Sequence, residues 1–118
     1  MSKVMIVDDD LTTVRLLQTL LELDGFDVSV VPRGGDVLTK AREIQPDVFL
    51  MDYHLSDMNG AEVVQHLRAD PAFARTPIVM VSGMDVEQEA MKAGASAFLV
   101  KPFEPNDLPG LFSSLMEQ

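Results

Sequence analysis

Five short apolar runs mark the chain at intervals: Val4-Met5-Ile6-Val7, Val28-Ser29-Val30-Val31, Val48-Phe49-Leu50-Met51, Ile78-Val79-Met80-Val81 and Ala97-Phe98-Leu99-Val100. Each has the length of a strand, and most are rich in β-branched residues. Between them the apolar positions change to helical spacing, as in Val14, Leu17 and Leu21, and again in Val63, Val64 and Leu67. After the fifth run, Leu108, Leu111, Phe112, Leu115 and Met116 fall on one helical face and predict a closing helix. This alternation of strand and helix predicts right-handed crossovers and a parallel sheet covered on both faces, which is why the strands are almost continuously apolar. The expected fold is a doubly wound α/β sandwich. Its 118 residues suffice for one domain and one core, so residues 1–118 are expected to form a single unit.

Composition narrows the range of functions. Nine Lys and Arg against nineteen Asp and Glu give a net charge of −10, and the basic residues are scattered. Direct nucleic-acid binding is not expected of such a surface, because neutralising phosphates takes clustered cations. No apolar stretch approaches the roughly 20 residues that span a bilayer, so no membrane association is expected. The chain has no cysteine, which removes disulfides and thiolate metal sites. Met1 leads almost directly into the first strand-like run, without the parts of a secretory signal. A cytoplasmic location is the expectation.

In doubly wound sheets, chemistry collects outside the carboxyl ends of the strands. Asp8, Asp9 and Asp10 follow the first run, Asp52 the third, Ser82 the fourth and Lys101 the fifth. Singly, each has an ordinary explanation. Asp10 precedes a helix that opens with Thr12 and Thr13, and reads as its N-cap; Ser82 suits a turn; a strand-end lysine is usually solvated. Their coincidence on one rim is harder to assign to chance. Converging carboxylates repel by about 4 kcal/mol per close pair at an effective dielectric near 20, so a cation is expected among them. An all-oxygen set suits Mg²⁺, whereas His54 and His66 lie outside the strand-end set and leave zinc without ligands. Mg²⁺ held by Asp8 and Asp9, beside a third carboxylate and an ammonium, is an arrangement for phosphoryl transfer, with Asp52 as the nucleophile.

The segments Val7-Asp8-Asp9-Asp10, Leu50-Met51-Asp52, Val81-Ser82-Gly83 and Val100-Lys101-Pro102-Phe103 resemble, in order and over the whole chain, the four signature segments of response-regulator receiver domains. The resemblance implies a flavodoxin-like sheet of order 2-1-3-4-5 with five helices. It implies that Asp8 and Asp9 hold the metal, with Asp52 and the backbone carbonyl of His54 completing its shell. Asp52 would accept a phosphoryl group from a histidine kinase or phosphotransfer protein, Ser82 would sense it, Lys101 would pair with it, and Phe98 would be the aromatic switch. Phe98 otherwise reads as an ordinary strand aromatic. Such a domain is no enzyme beyond its own phosphorylation and dephosphorylation; it acts on a downstream protein, and the resemblance admits a phosphorylation-dependent dimer. Met58-Asn59-Gly60 is similar to the family's Met-Asp-Gly turn.

Three features depart from that pattern. Ser56 stands where these domains usually carry proline, which predicts a less rigid loop. Pro109 and Gly110 fit the last helix only within its first turn. Ser82 and Lys101 are 19 positions apart (101 − 82), short of the family's usual interval by nearly a helical turn. The fourth helix is therefore expected to be shortened to two or three turns, beginning near Asp85 or Val86 and capped by Gly94. Two other readings compete. Asp8-Asp9-Asp10-Leu11-Thr12 also fits the Asp-x-Asp-x-Thr opening of haloacid-dehalogenase-type phosphatases, with Asp8 as nucleophile. A receiver-like module that binds partners without phosphorylation is the other.

Overall fold

In a computed structural model, which describes residues 1–117, every apolar run is a strand. They are β1 (Lys3–Val7), β2 (Asp27–Val31), β3 (Val48–Asp52), β4 (Ile78–Ser82) and β5 (Ala97–Val100). Four extend one residue beyond the apolar run. Asp52 and Ser82 are thus the last ladder residues of β3 and β4 rather than the residues after them, because backbone pairing is indifferent to side-chain polarity: Asp52 pairs with Val81 and Ser82 with Val100. The sheet is parallel throughout and has the order β2-β1-β3-β4-β5.

Alternation along the strands sorts the core into two layers. Met5, Val7, Phe49, Met51 and Met80 face the side covered by α2 (Val37–Ile44), α3 (Gly60–Ala69) and α4 (Glu87–Ala93). Val4, Ile6, Val48, Leu50, Val79 and Val81 face α1 (Leu11–Leu23) and α5 (Leu108–Met116). The helical residues read from spacing are the ones that bury: Val14, Leu17 and Leu21 on α1, and Val63, Val64 and Leu67 on α3. Edge-to-face aromatic pairs reinforce each layer, Phe49 with Phe73 on one side and Phe26 with Phe112 on the other.

α4 is seven residues long, about two turns, and ends at Gly94 with φ of 117°. Its core face is made of Ala90 and Ala93, so it brings little apolar area to the sheet. The helix starts at Glu87, one residue later than the sequence suggests, behind an N-cap, Val86, that has no side-chain acceptor to offer. Pro109 is tolerated in α5 because it falls in the first turn, where its missing N–H has no helical partner. Among the described residues, no helix is long and apolar enough to cross a membrane.

Candidate functional site

The order β2-β1-β3 reverses the direction of winding between β1 and β3, and their carboxyl ends open there into one crevice. Asp8 lies immediately beyond β1 and Asp52 ends β3; they are only 3% and 7% exposed. Asp9 is exposed, yet one carboxylate oxygen each from Asp8, Asp9 and Asp52 lie within 4.8 Å of one another. Asp10 turns away from this group. Its Oδ1 accepts from the N–H groups of Thr12 and Thr13 at 3.2 and 3.4 Å, and its Oδ2 from the Thr13 hydroxyl at 2.8 Å, which caps α1. The Asp-x-Asp reading loses its second acid to that cap.

Lys101, directly after β5, places Nζ 3.1 Å from Asp52 Oδ1 and 3.9 Å from Asp8 Oδ2. One ammonium does not balance three carboxylates. Burial raises the Asp52 carboxyl above its ordinary range despite Lys101, and the Asp9 charge adds to the shift. Asp8 is likewise raised, first by burial and further by Asp52, against the Asp10 N–H that donates to its Oδ1 at 2.9 Å. An all-oxygen, partly desolvated group with surplus negative charge fits a small hard dication, and Mg²⁺ suits it better than a soft or nitrogen-seeking metal.

Ser82 is fully buried at the end of β4, and its Oγ accepts from the Met84 N–H at 3.1 Å. Its backbone carbonyl accepts from the Lys101 N–H at 2.8 Å, tying the β4 and β5 ends together. His54 lies two residues past β3, bridged to Asn59, with its ring edge-on to Tyr53 at 4.8 Å. Phe98 is half-buried in β5 and packs against the layer beneath α3 and α4, away from the acids. The fold therefore gathers Asp8, Asp9, Asp52 and Lys101 directly, sets Ser82 on the neighbouring strand end, and leaves Phe98 behind the site.

Two residues not singled out from the sequence bear on this region. Asp57 accepts at both carboxylate oxygens from Gly34 and Gly35 N–H groups, which hold its carboxyl below the ordinary range. Arg68, in the last turn of α3, binds backbone carbonyls around α4 and β4. Neither contact follows a periodicity that sequence could reveal. Gly60, by contrast, belongs to a recognised turn, and its role is steric: a Cβ there would collide with the Asp52 carbonyl oxygen and approach Tyr53 Cα to 3.1 Å. The Gly60 N–H donates to the Tyr53 carbonyl at 2.6 Å, so the glycine cannot simply withdraw. Gly60→Ala is expected to destabilise the domain by about 2 kcal/mol, the cost of overpacking a fixed contact, measured by urea unfolding.

Comparison with known proteins agrees with this geometry. Residues 4–112 match the response regulator receiver domain. The DNA-binding response regulator MtrA of Mycolicibacterium paratuberculosis is 36% identical over 109 residues, covering 90% of this chain and 47% of that protein. The chain spans about half the length of the curated relatives it matches. The chemotaxis response regulator CheY4 of Vibrio cholerae has the same fold, with a TM-score of 0.90 at 30% identity and 98% of each chain covered. So does the receiver domain of sensor histidine kinase PA1611 from Pseudomonas aeruginosa PAO1, with a TM-score of 0.90 at 22% identity over 99% of this chain and 98% of that one. That structure holds a magnesium ion in its active site cleft.

Proposed function

The chain belongs to the response-regulator receiver family, and from that premise we propose that residues 1–118 form one phosphoacceptor domain in which Asp52 takes the phosphoryl group. The observation that carries the reading is the convergence of Asp8, Asp9 and Asp52 within 4.8 Å, with Lys101 at 3.1 Å from Asp52. An Asp52 carboxylate oxygen attacks the phosphorus of a donor phosphohistidine; the P–N bond breaks, its electron pair stays with the imidazole, and an acyl phosphate remains on Asp52. Asp8, Asp9 and Asp52, with the His54 carbonyl, would hold Mg²⁺. When bound, the ion neutralises oxyanion charge and orients the phosphoryl group. Lys101 supplies a second positive charge at the same oxygens. Ser82 accepts from Met84 N–H and so keeps its own hydroxyl proton free for a phosphoryl oxygen.

We place the donor, a histidine kinase or phosphotransfer protein, over the apolar groove of about 560 Å³ beside Lys101, lined by Leu16, Leu17, Pro102 and Phe103. Recruitment of Ser82 by the phosphoryl group draws on Met84, whose N–H Ser82 Oγ accepts and where the connection to α4 begins. Phe98 moves into the space behind Ser82, and the α4, β5 and α5 face shifts between two arrangements. Because α4 is short and held at its start only by a long contact, the Glu87 N–H to Asp85 Oδ1 at 3.4 Å, this face is the most mobile part of the domain and the part a downstream protein reads. We place these events in the cytoplasm, with no direct nucleic-acid contact by this domain.

The test has two arms. After treatment with acetyl phosphate and Mg²⁺, mass spectrometry should find the phosphoryl group on Asp52. Asp8→Asn and Asp9→Asn should each weaken Mg²⁺ binding at least tenfold, while Asp10→Asn leaves it within twofold and affects the α1 cap alone. Equal losses at all three positions would overturn the division of the acids.

A further inference from the structure

The loop that leads away from Asp52 is held at its base, where His54 is also bridged to Asn59, and at its tip. At its base, the Tyr53 N–H donates to the Val81 carbonyl at 2.9 Å, and Tyr53 in turn accepts from the Gly60 N–H. At its tip, the described hydrogen bonds of residues 55–58 come from one side chain. Asp57 Oδ1 accepts from the Gly34 N–H and Oδ2 from the Gly35 N–H, each at 2.9 Å. Two successive backbone donors on one carboxylate form a directional, charge-assisted tie between the 53–59 loop and the turn after β2.

The glycine pair is shaped for this contact. A Cβ on Gly34 would come within 2.6 Å of Met58 Cγ and 2.9 Å of Val63 Cγ2, and one on Gly35 would stand 3.3 Å from Asp57 Oδ2. Bare backbone lets the two loops close up. Ser56 contributes no ring to fix φ at the loop's crest, so without the tie the backbone there keeps its torsional freedom.

We infer that Asp57 is a positioning residue of the phosphoacceptor site: its carboxylate fixes the 53–59 loop, and with it the His54 carbonyl, relative to Asp8, Asp9 and Asp52. The inference rests on the phosphoacceptor reading above. His54 is three residues from the tie and two from Asp52, so freedom at the tip becomes freedom in the direction of that carbonyl. Partners that orient a metal's ligands, without touching the metal, are worth about 10–100-fold in affinity. Asp57 acts through two intervening residues, Leu55 and Ser56, which sets its effect near the lower end.

Tyr53 is the sole tyrosine, there is no tryptophan, and it adjoins Asp52, so its fluorescence reports Mg²⁺ titration at the site. Asp57→Ala should weaken Mg²⁺ binding about tenfold, and Asp57→Asn by less, because its amide oxygen still serves one N–H. In the metal-free protein, the Gly34 and Gly35 amide resonances should shift in Asp57→Ala, marking the lost tie. The control is Asp70→Ala, an acid at the far end of α3 that also accepts a backbone N–H, from Ala72 at 2.9 Å; its Mg²⁺ affinity should stay within twofold of the parent's. Shifted glycine amides with Mg²⁺ affinity within twofold of the parent's would show a merely structural tie and overturn the inference, as would an equal loss in Asp70→Ala. A parent chain that does not bind Mg²⁺ would instead overturn the phosphoacceptor reading, and this inference with it.

Discussion

Asp52→Asn is expected to reduce phosphoryl transfer from acetyl phosphate to background and, in the same protein, to raise the melting temperature in the absence of Mg²⁺. The first effect follows because an amide is no nucleophile toward phosphorus, and the neighbouring acids are committed elsewhere: Asp8 accepts from the Asp10 N–H, and Asp9 is exposed at the rim. The second follows from electrostatics. Burial raises the Asp52 carboxyl even with Lys101 beside it, so the folded chain disfavours that charge relative to the unfolded chain. A neutral amide of the same shape removes the penalty, a gain on the order of 1 kcal/mol. Lys101 loses its nearer partner but keeps Asp8 at 3.9 Å, is 31% exposed and stays hydrated.

The sign of the pH dependence follows from the same shift. Asp8 and Asp52 both have folded-state values above the ordinary aspartate value, so between those values these two groups hold more protons in the folded chain than in the unfolded chain. The contribution of these two groups to the stability of the metal-free parent therefore falls as pH rises through that window, opposite in sign to that of Asp10, Asp57 and Asp70, whose values are lowered, and Asp52→Asn should remove its share, leaving the part due to Asp8. Mg²⁺ should stabilise the parent by mass action and the variant much less. Melting curves across the acid range, with and without Mg²⁺, check all three statements. Phosphorylation retained in Asp52→Asn and lost in Asp8→Asn would transfer the nucleophile to Asp8.

What the sequence discloses here is what repeats or ends a repeat. Strands buried on both faces must be apolar throughout, so β1, β3 and β4 are visible as unbroken runs, and the polar residue at which each run ends lies on the rim where the chemistry sits. The short α4 was visible as a spacing between Ser82 and Lys101, and Gly94 as its stop, because a helix end leaves a local signature. Its start lies one residue beyond Val86, because Val86 caps without a side-chain acceptor and the first N–H, of Glu87, goes to Asp85 Oδ1 at 3.4 Å instead. The division of labour among Asp8, Asp9 and Asp10 was readable only as a cap preference; the geometry that turns Asp10 toward Thr13 depends on how α1 leaves the sheet. Asp57 and Arg68 carry no sequence signature, for a different reason. Each joins segments distant in sequence, and each looks locally like a solvated surface charge.

Arg68 is where that hidden class of contact should have its largest effect on stability. Its guanidinium is half-buried, and burial lowers its pKa, but no carboxylate pairs with it among the described residues. It serves neutral acceptors instead. Nε donates to the Gly94 carbonyl at 2.9 Å, one terminal nitrogen to the carbonyls of Phe73 and Thr76, each at 2.7 Å, and the other to Ser96 Oγ at 3.3 Å. These acceptors lie at the C-cap of α4, in the segment leading into β4, and just before β5. A planar fork of donors is needed to reach all of them, which a lysine ammonium cannot do. Gly94 meets the same side chain closely, since a Cβ there would lie 2.8 Å from Arg68 Cγ. Arg68→Ala strands the Gly94 and Thr76 carbonyls in a part-buried setting and leaves the Phe73 carbonyl only the long Thr76 N–H contact at 3.4 Å; at about 1–3 kcal/mol each, with water relieving some, the loss should total about 3 kcal/mol. For a domain of this size, that lowers the melting temperature by roughly 10–15 °C. Arg68→Lys, which keeps the charge and one or two of the bonds, should lose about half as much and still fold. In that variant α4 is loosened at its end as well as weakly held at its start, so the amide resonances of residues 84–94 should broaden before any phosphoryl mimic is added. Beryllofluoride should then shift them less than in the parent, because the two arrangements proposed for this face would no longer be distinct. A loss below 1 kcal/mol in Arg68→Ala would show that water serves these carbonyls equally well and that α4 is held by its alanine contacts alone.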